Sequence, residues 1–262
     1  MKTTKKPKLT LVGAGPGDPE LITLKGVKAL READVILYDA LVDKKLLKHA
    51  PQAIKVFVGK RKGNHIYSQD EINELIVQHA LNYGHVVRLK GGDPFIFGRG
   101  TEEIAYAETF NIQTAVVPGI SSSSAVPASQ GIPLTLRNVA ESFWVVTGTT
   151  SENKISADLK LAARSSATVV ILMGMGKLRS IVSLFQKYGK GETPVAIIQN
   201  GTTAYEKLAL GTVNSIVEAS ERKGLDSPAI IVVGEVVRHS HQLRSFYEEI
   251  AGSELVTKKK SI

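Results

Sequence analysis

The stretch LTLVGAGPGDPE (9–20) decides how the chain is read. A short apolar strand at 9–12 runs into the turn Gly13-Ala14-Gly15-Pro16-Gly17. Asp18 and Pro19 then supply a helix N-cap and a first helical position. The spacing predicts a helix with Leu21, Leu24, Val27 and Leu30 on one face.

Working outward, the alternation continues. Apolar strands are expected at 35–38, 54–58, 86–89 and 114–117. Ser68 and Glu71 form a capping box that opens a helix with Ile72, Leu75, Ile76 and Ala80 inward, and another helix starts near 101. Strands apolar throughout and separated by helices imply a parallel sheet covered on both faces. Ligands of such sheets collect at the carboxyl ends of the strands, which places the loops at 13–18, 39–43, 59–65 and 90–100 on one rim.

Residues 118–133, with three prolines and Ser121 to Ser124, read as a hinge enclosing a short helix. Strands at 143–147, 168–173, 195–198 and 229–234 follow, with helices near 155–164, 178–188, 213–222 and 239–250. The expected organisation is a basic tail (1–8), an α/β domain (9–118), a second α/β domain (119–250) and a C-terminal tail (251–262).

At 262 residues the chain is long enough to bury about three quarters of its unfolded surface. A hydrophobic content of 43% and a charged content of 22% exclude disordered and fibrous classes. With no cysteine there is no disulfide, thiolate metal site or cysteine nucleophile, and the usage fits a reducing cytoplasm. No metal site is expected. Neither an 18-residue apolar run nor a signal-peptide apolar region is present, so no membrane partner is expected either. The net charge of +8 invites a nucleic-acid reading, but seven lysines lie in the two tails. Between 9 and 256 stand 26 basic and 25 acidic residues, without aromatic interleaving, so no nucleic-acid partner is expected.

Several rim residues carry candidate chemistry. The turn 13–18 fails as a dinucleotide fingerprint because Asp18 stands where close helix packing needs glycine or alanine. Asp39, at a strand end, reads either as an acid/base group or as a turn former, and Lys60 and Arg61 as an anion grip or a solvated turn. The loop Gly91-Gly92-Asp93-Pro94-Phe95-Ile96-Phe97-Gly98-Arg99-Gly100 combines glycines for close approach with apolar walls, as a ligand-lining loop does. Arg99 with Glu102 reads as a carboxylate clamp held by its own acid, and Arg137 is placed to join it. Met173 and Gly174 end a second-domain strand, either as core or as the wall of a site.

The segments VGAGPGDPELITLKG (12–26), YDALV (38–42), GKR (59–61), RLKGGDPFIFGRG (88–100), VVPGIS (116–121), GIPLT (131–135), MG (173–174) and NGT (200–202) occur in order and register. Together they resemble the tetrapyrrole methylase family of S-adenosylmethionine-dependent enzymes, and within it the branch that C-methylates uroporphyrinogen III. The resemblance implies two α/β domains of the tetrapyrrole methylase type with an active-site cleft between them, a cytoplasmic homodimer, and S-adenosylmethionine converted to S-adenosylhomocysteine. It implies methylation at C-2 and C-7 to precorrin-2, on the route to siroheme and cobalamin. A later precorrin methyltransferase is the alternative, and an RNA or protein methyltransferase on this scaffold a more distant one.

Carried over by the same resemblance, Pro16, Gly91, Gly92, Asp93, Ile96, Ser121, Ser122, Met173 and Gly201 contact the cofactor. Asp39 is the proton acceptor and Lys60 the proton donor, while Arg99, Glu102 and Arg137 meet the tetrapyrrole, with Arg99 also a proposed base. Because a guanidinium stays protonated near neutral pH, Asp39 ranks above Arg99 as base. The chain departs from the family pattern at Thr101 (usually glycine, expected here to cap the helix), Leu136 (usually histidine) and Ser121 (usually threonine). Without length for a fused dehydrogenase–chelatase module, methylation alone is expected.

Overall fold

The computed structural model describes residues 5–59 and 67–240. The chain divides into two compact units, one up to Ser122 and one from Ser123 onward.

The first unit contains β1 (Lys8–Gly13), α1 (Leu24–Arg31), β2 (Val35–Tyr38), β3 (Ile54–Phe57), α2 (Gln69–Tyr83), β4 (His85–Lys90), α3 (Gly100–Glu108) and β5 (Gln113–Val117). Its five strands form one sheet in the order β3-β2-β4-β1-β5, all pairs parallel. Alternate residues of each strand serve opposite faces, as the two-residue period requires. Leu9, Leu11, Val35, Leu37 and Val86 pack with Ile72, Ile76 and Ala80 of α2 and Ala107 of α3. Val12, Ile36, Val87 and Leu89 pack on the other face with Ala29 and Leu30 of α1 and with Leu46.

The second unit contains most of α4 (Ser122–Ser129), then β6 (Phe143–Thr147), α5 (Ala157–Ala162), β7 (Thr168–Leu172), α6 (Leu178–Lys187), β8 (Pro194–Gln199), β9 (Lys207–Thr212), α7 (Ile216–Arg222) and β10 (Ala229–Val233). The sheet order is β6-β7-β10-β8-β9. Only β6 and β7 pair in parallel; the other neighbours are antiparallel. The carboxyl ends of β6, β7 and β8 nevertheless share one edge, since Thr147 pairs with Leu172 and both Leu172 and Gln199 lie opposite the start of β10. Helices α5, α6 and α7 cover one face, and Val126, Ile132, Val236 and Val237 cover the other.

Several local expectations are corrected. Asp18 caps only a 3-10 turn, Pro19–Leu21, by accepting the Glu20 N–H. The helix proper begins at Leu24 under a second cap, Thr23, whose hydroxyl accepts the Gly26 N–H. This shift turns Leu24 outward, 90% exposed, and makes Ala29 and Leu30 the inner residues. Thr101 lies inside α3 and does not cap it; Arg99 is the N-cap, with no side-chain bond. The helix expected at 213–222 begins only at Ile216, because Ser215 first closes a turn onto the Thr212 N–H. Strand β9 is an addition that the sequence analysis assigns to no element. The helix expected at 239–250 falls almost wholly outside the described residues, where His239 ends a 3-10 turn.

Candidate active site

Every strand of the first sheet points its carboxyl end the same way, so the loops after β1, β2, β4 and β5 assemble on one edge. Their contact is made by glycines. A Cβ on Gly13 would lie 2.4 Å from Gly119 Cα, and one on Gly119 would lie 2.2 Å from Gly92 O. Gly15 and Gly92 exchange backbone hydrogen bonds, Gly15 N–H to Gly92 O at 3.3 Å and Gly92 N–H to Gly15 O at 2.7 Å. Gly91 leaves room for Leu41, whose Cβ would stand 2.6 Å from an added methyl. The glycine-rich segments therefore serve first to bring three loops within backbone contact.

Asp93 fastens the arrangement. Its Oδ1 accepts the Phe95 N–H at 2.8 Å and its Oδ2 accepts the Gly119 N–H at 3.1 Å, tying the loop after β4 to the start of the segment containing Ser121 and Ser122. Beyond it Phe95, Ile96 and Phe97 are exposed, unusual for three consecutive large apolar side chains. Phe97 and Arg99 hold φ values of 54° and 58°, the left-handed region that bulky residues seldom enter. Such strain is typical of loops shaped for a ligand.

The Arg99 guanidinium makes a two-pronged bond to Glu102, with Nε to Oε1 at 2.8 Å. Both side chains are exposed. Glu102 holds the arginine above its usual pKa, and Arg99 holds the carboxyl below its own. Arg99 is thus a fixed cation, neutralised by Glu102 and unsuited to accepting a proton. Asp39 follows β2, half-buried, with Oδ1 accepting the Leu41 N–H at 3.0 Å and Oδ2 lying 3.6 Å from Arg88 Nη2.

In the second unit Met173 ends β7 with a φ of 55° and 54% exposure, so it is not core. Its carbonyl accepts the Thr149 hydroxyl at 3.1 Å. Gly201, just after β8 and on the same sheet edge, is buried because Val126 Cγ1 would lie 2.3 Å from any Cβ. Arg137 is exposed in the tight turn closed by Leu136 and Ala140.

The structure thus gathers Pro16, Asp39, Gly91, Gly92, Asp93, Ile96, Arg99, Glu102, Ser121 and Ser122 along one rim of the first unit. Met173 and Gly201 share an edge of the second, and Arg137 lies exposed in the turn between Leu136 and Ala140. Lys60 and Arg61 lie outside the described residues. Among the described residues, no group of three or more histidines, cysteines or carboxylates is placed to hold a metal ion, and no helix is long and apolar enough to cross a membrane.

One cluster escaped the sequence analysis. Arg88 and Lys90 alternate along β4 and so share a face of the sheet, where both are buried with Glu103 of α3. Glu103 Oε1 receives Lys90 Nζ at 2.8 Å, Arg88 Nε at 3.2 Å and Gln69 Nε2 at 3.3 Å. Burial pushes the Lys90 pKa down, neighbouring Arg88 pushes it further, and Glu103 opposes both. Two cations inside an otherwise apolar strand were the available signal.

The family described as Tetrapyrrole (Corrin/Porphyrin) Methylases matches residues 8–217. The uroporphyrinogen-III C-methyltransferase of Methanocaldococcus jannaschii is 51% identical over 233 residues, covering 88% of this chain and 96% of that protein. The siroheme synthase of Actinobacillus pleuropneumoniae is 43% identical over 92% of this chain, which spans 50% of that longer protein. A crystal structure of uroporphyrin-III C-methyl transferase from Thermus thermophilus, complexed with S-adenyl homocysteine, superimposes with a TM-score of 0.76 at 40% identity, covering 88% of this chain and 99% of that one.

Proposed function

The chain belongs to the tetrapyrrole methylase family, and from that premise we propose that it methylates uroporphyrinogen III at C-2 and C-7 with S-adenosylmethionine, giving precorrin-2. The observation that carries this reading is the near full-length match to a uroporphyrinogen-III C-methyltransferase, 51% identical over 96% of that protein. A rim built of the expected residues supports it.

The residues suit the cofactor. Gly92 holds a φ of 66°, and a Cβ added to it would meet nothing closer than Ser122 N at 3.9 Å, so its Cα borders open space although its N–H and carbonyl are bonded to Gly15. Exposed Ile96 supplies an apolar surface on the same loop, and Ser121 and Ser122 follow Gly119, which Asp93 ties to that loop. Pro16, Gly91 and Asp93 are the other cofactor contacts we assign on this unit, and Met173 and Gly201 those we assign on the second. When bound, S-adenosylmethionine supplies an electrophilic methyl on a sulfonium.

The remaining work falls to the protein. Uroporphyrinogen III carries many carboxylates, and Arg99 and Arg137 hold them, Arg99 in a fork already squared by Glu102. As the ring carbon forms its bond to the methyl, a proton must leave the methylated ring system. Asp39 accepts it, since it lies at the rim beside the Arg88 guanidinium, whereas Arg99 is locked in its cationic form. The family resemblance assigns the proton-donor role to Lys60, which lies outside the described residues.

Purified protein supplied anaerobically with uroporphyrinogen III and S-adenosylmethionine should yield a doubly methylated product by mass spectrometry. Turnover of precorrin-2 alone would assign a later methylation instead. We also read the protein as a cytoplasmic homodimer; sizing by light scattering tests the dimer.

A further inference from the structure

The buried cluster behind Asp39 has no part in the reaction as described so far, yet it reaches the rim. Arg88 spans the distance. Its Nε sits on Glu103, Nη1 donates to the carbonyls of Leu89 at 3.0 Å and Leu37 at 3.5 Å, and Nη2 meets Asp39 Oδ2 at 3.6 Å. With its side chain only 5% exposed, the guanidinium has no freedom to reorient without leaving a buried donor unmatched.

We propose that Arg88 is a positioning residue for Asp39, and that Glu103 is the buried counterion that holds Arg88 and Lys90 at their fixed spacing behind it. The proposal rests on the reading of Asp39 as proton acceptor.

The charges support the assignment. Glu103 is one carboxylate shared by two buried cations, and among the described residues its Oε2 accepts no hydrogen bond. One positive charge in the interior is therefore uncompensated locally, and Asp39 is the carboxylate that Arg88 reaches. Asp39 thus completes the balance of a buried set while its remaining surface faces the rim. Among the described residues, the charged groups acting on this set come from three sides. Strand β4 contributes Arg88 and Lys90, α3 contributes Glu103 with Arg99 and Glu102 at its exposed start, and the loop after β2 contributes Asp39. Helix α2 presents neutral Gln69 and Asn73, with Asp70 acting at longer range on Arg99. Capping of α2 by Ser68 fixes where Gln69 can donate.

The test uses the whole protein and has two readouts. In the first, the pH dependence of kcat/KM is measured for wild type, Arg88→Met and Arg88→Lys. Removing the cation 3.6 Å from Asp39 should move the acid limb of Arg88→Met to higher pH. Arg88→Lys, which restores charge without the fork, should return the limb toward wild type while kcat stays lowered. An unmoved acid limb in Arg88→Met, with only a lower melting temperature, overturns the proposal.

The second readout needs no turnover. Titration of the Lys90 ammonium, followed by nitrogen-15 NMR, should move to lower pH in Glu103→Gln and in Asp39→Asn, and to higher pH in Arg88→Met. A Lys90 signal indifferent to Asp39→Asn would detach the rim carboxylate from the buried set and overturn the proposal even in an active enzyme. Coupled shifts in a protein inactive on uroporphyrinogen III would leave the positioning intact and overturn the substrate reading. Should Arg88→Met fail to fold, the Lys90 titration in the other two variants decides the same point.

Discussion

Gly13 and Gly119 face each other backbone to backbone, with 2.4 Å separating Gly119 Cα from the position a Cβ would take on Gly13. The contact joins the turn after β1 to the segment after β5, and Gly92 O closes it from a third side. No side chain fits, because each neighbouring atom belongs to main chain that is itself hydrogen-bonded. Gly119→Ala should destabilise the protein by about 1–3 kcal/mol, visible as a lower urea midpoint at unchanged m. It should also weaken S-adenosylhomocysteine binding in calorimetry, since the loop carrying Gly91 and Gly92 must shift.

Asp39→Asn keeps the oxygen that accepts the Leu41 N–H but removes the base. Methyl transfer should slow by about 10²–10⁴, the usual worth of a positioned general base, while S-adenosylhomocysteine binding stays near wild type. Single-turnover kinetics with uroporphyrinogen III checks this. Unchanged turnover would remove Asp39 from the chemistry.

Arg99→Ala removes one member of an exposed ion pair, and such pairs contribute only about 0–1 kcal/mol to stability. The melting temperature should hardly change. The KM for uroporphyrinogen III should rise roughly tenfold or more, matching the loss of a charged hydrogen-bonding partner of about 1.5–3 kcal/mol. A fall in kcat alone would place Arg99 elsewhere in the cycle.

Much of the fold was legible because period and punctuation agreed. Strands β2 and β6 fall where apolar β-branched runs place them, and Ser68 and Glu71 form the expected reciprocal cap. The first helix misled because Asp18-Pro19 is a strong start signal, yet Thr23 offers a second cap whose helix buries Ala29 and Leu30. Strand β9 was missed because KLALGT alternates weakly and contains Gly211, and only pairing with β8 gives it form.

At the candidate site, the glycine loop and the Arg99–Glu102 pair could be read from local sequence. The Arg88–Glu103–Lys90 set could not, because it depends on β4 and α3 meeting across the sheet face. Nor could the left-handed conformations of Phe97, Arg99 and Met173, since nothing in those residue types signals them.

Acid should weaken the fold through His79. Burial lowers its pKa, and its Nδ1 finds no hydrogen-bond partner among the described residues. A histidine depressed in the folded state binds fewer protons there than when unfolded. The stability it permits is complete above the unfolded value, near 6.5, and drains away as pH falls from there toward the folded value. His79→Leu should therefore flatten the loss of stability as pH falls below about 6.5, by at most about 1.4 kcal/mol per pH unit for one proton. Urea melts across that range measure the slope.

Strand β4 is the middle strand of its sheet, paired on both sides, and it carries Arg88 and Lys90. Amide protons at the centre of such a sheet exchange with solvent only when the whole unit opens, whereas those of rim loops exchange through small local excursions. The electrostatic ruler behind Asp39 is thus mounted on the slowest-exchanging part of the unit. Arg88 and Lys90 sit on that protected strand, whereas Glu103 is tied through its backbone N–H to Arg99 at the end of the rim loop, so motion of the loop that carries Phe95 to Arg99 reaches the set from the α3 side alone.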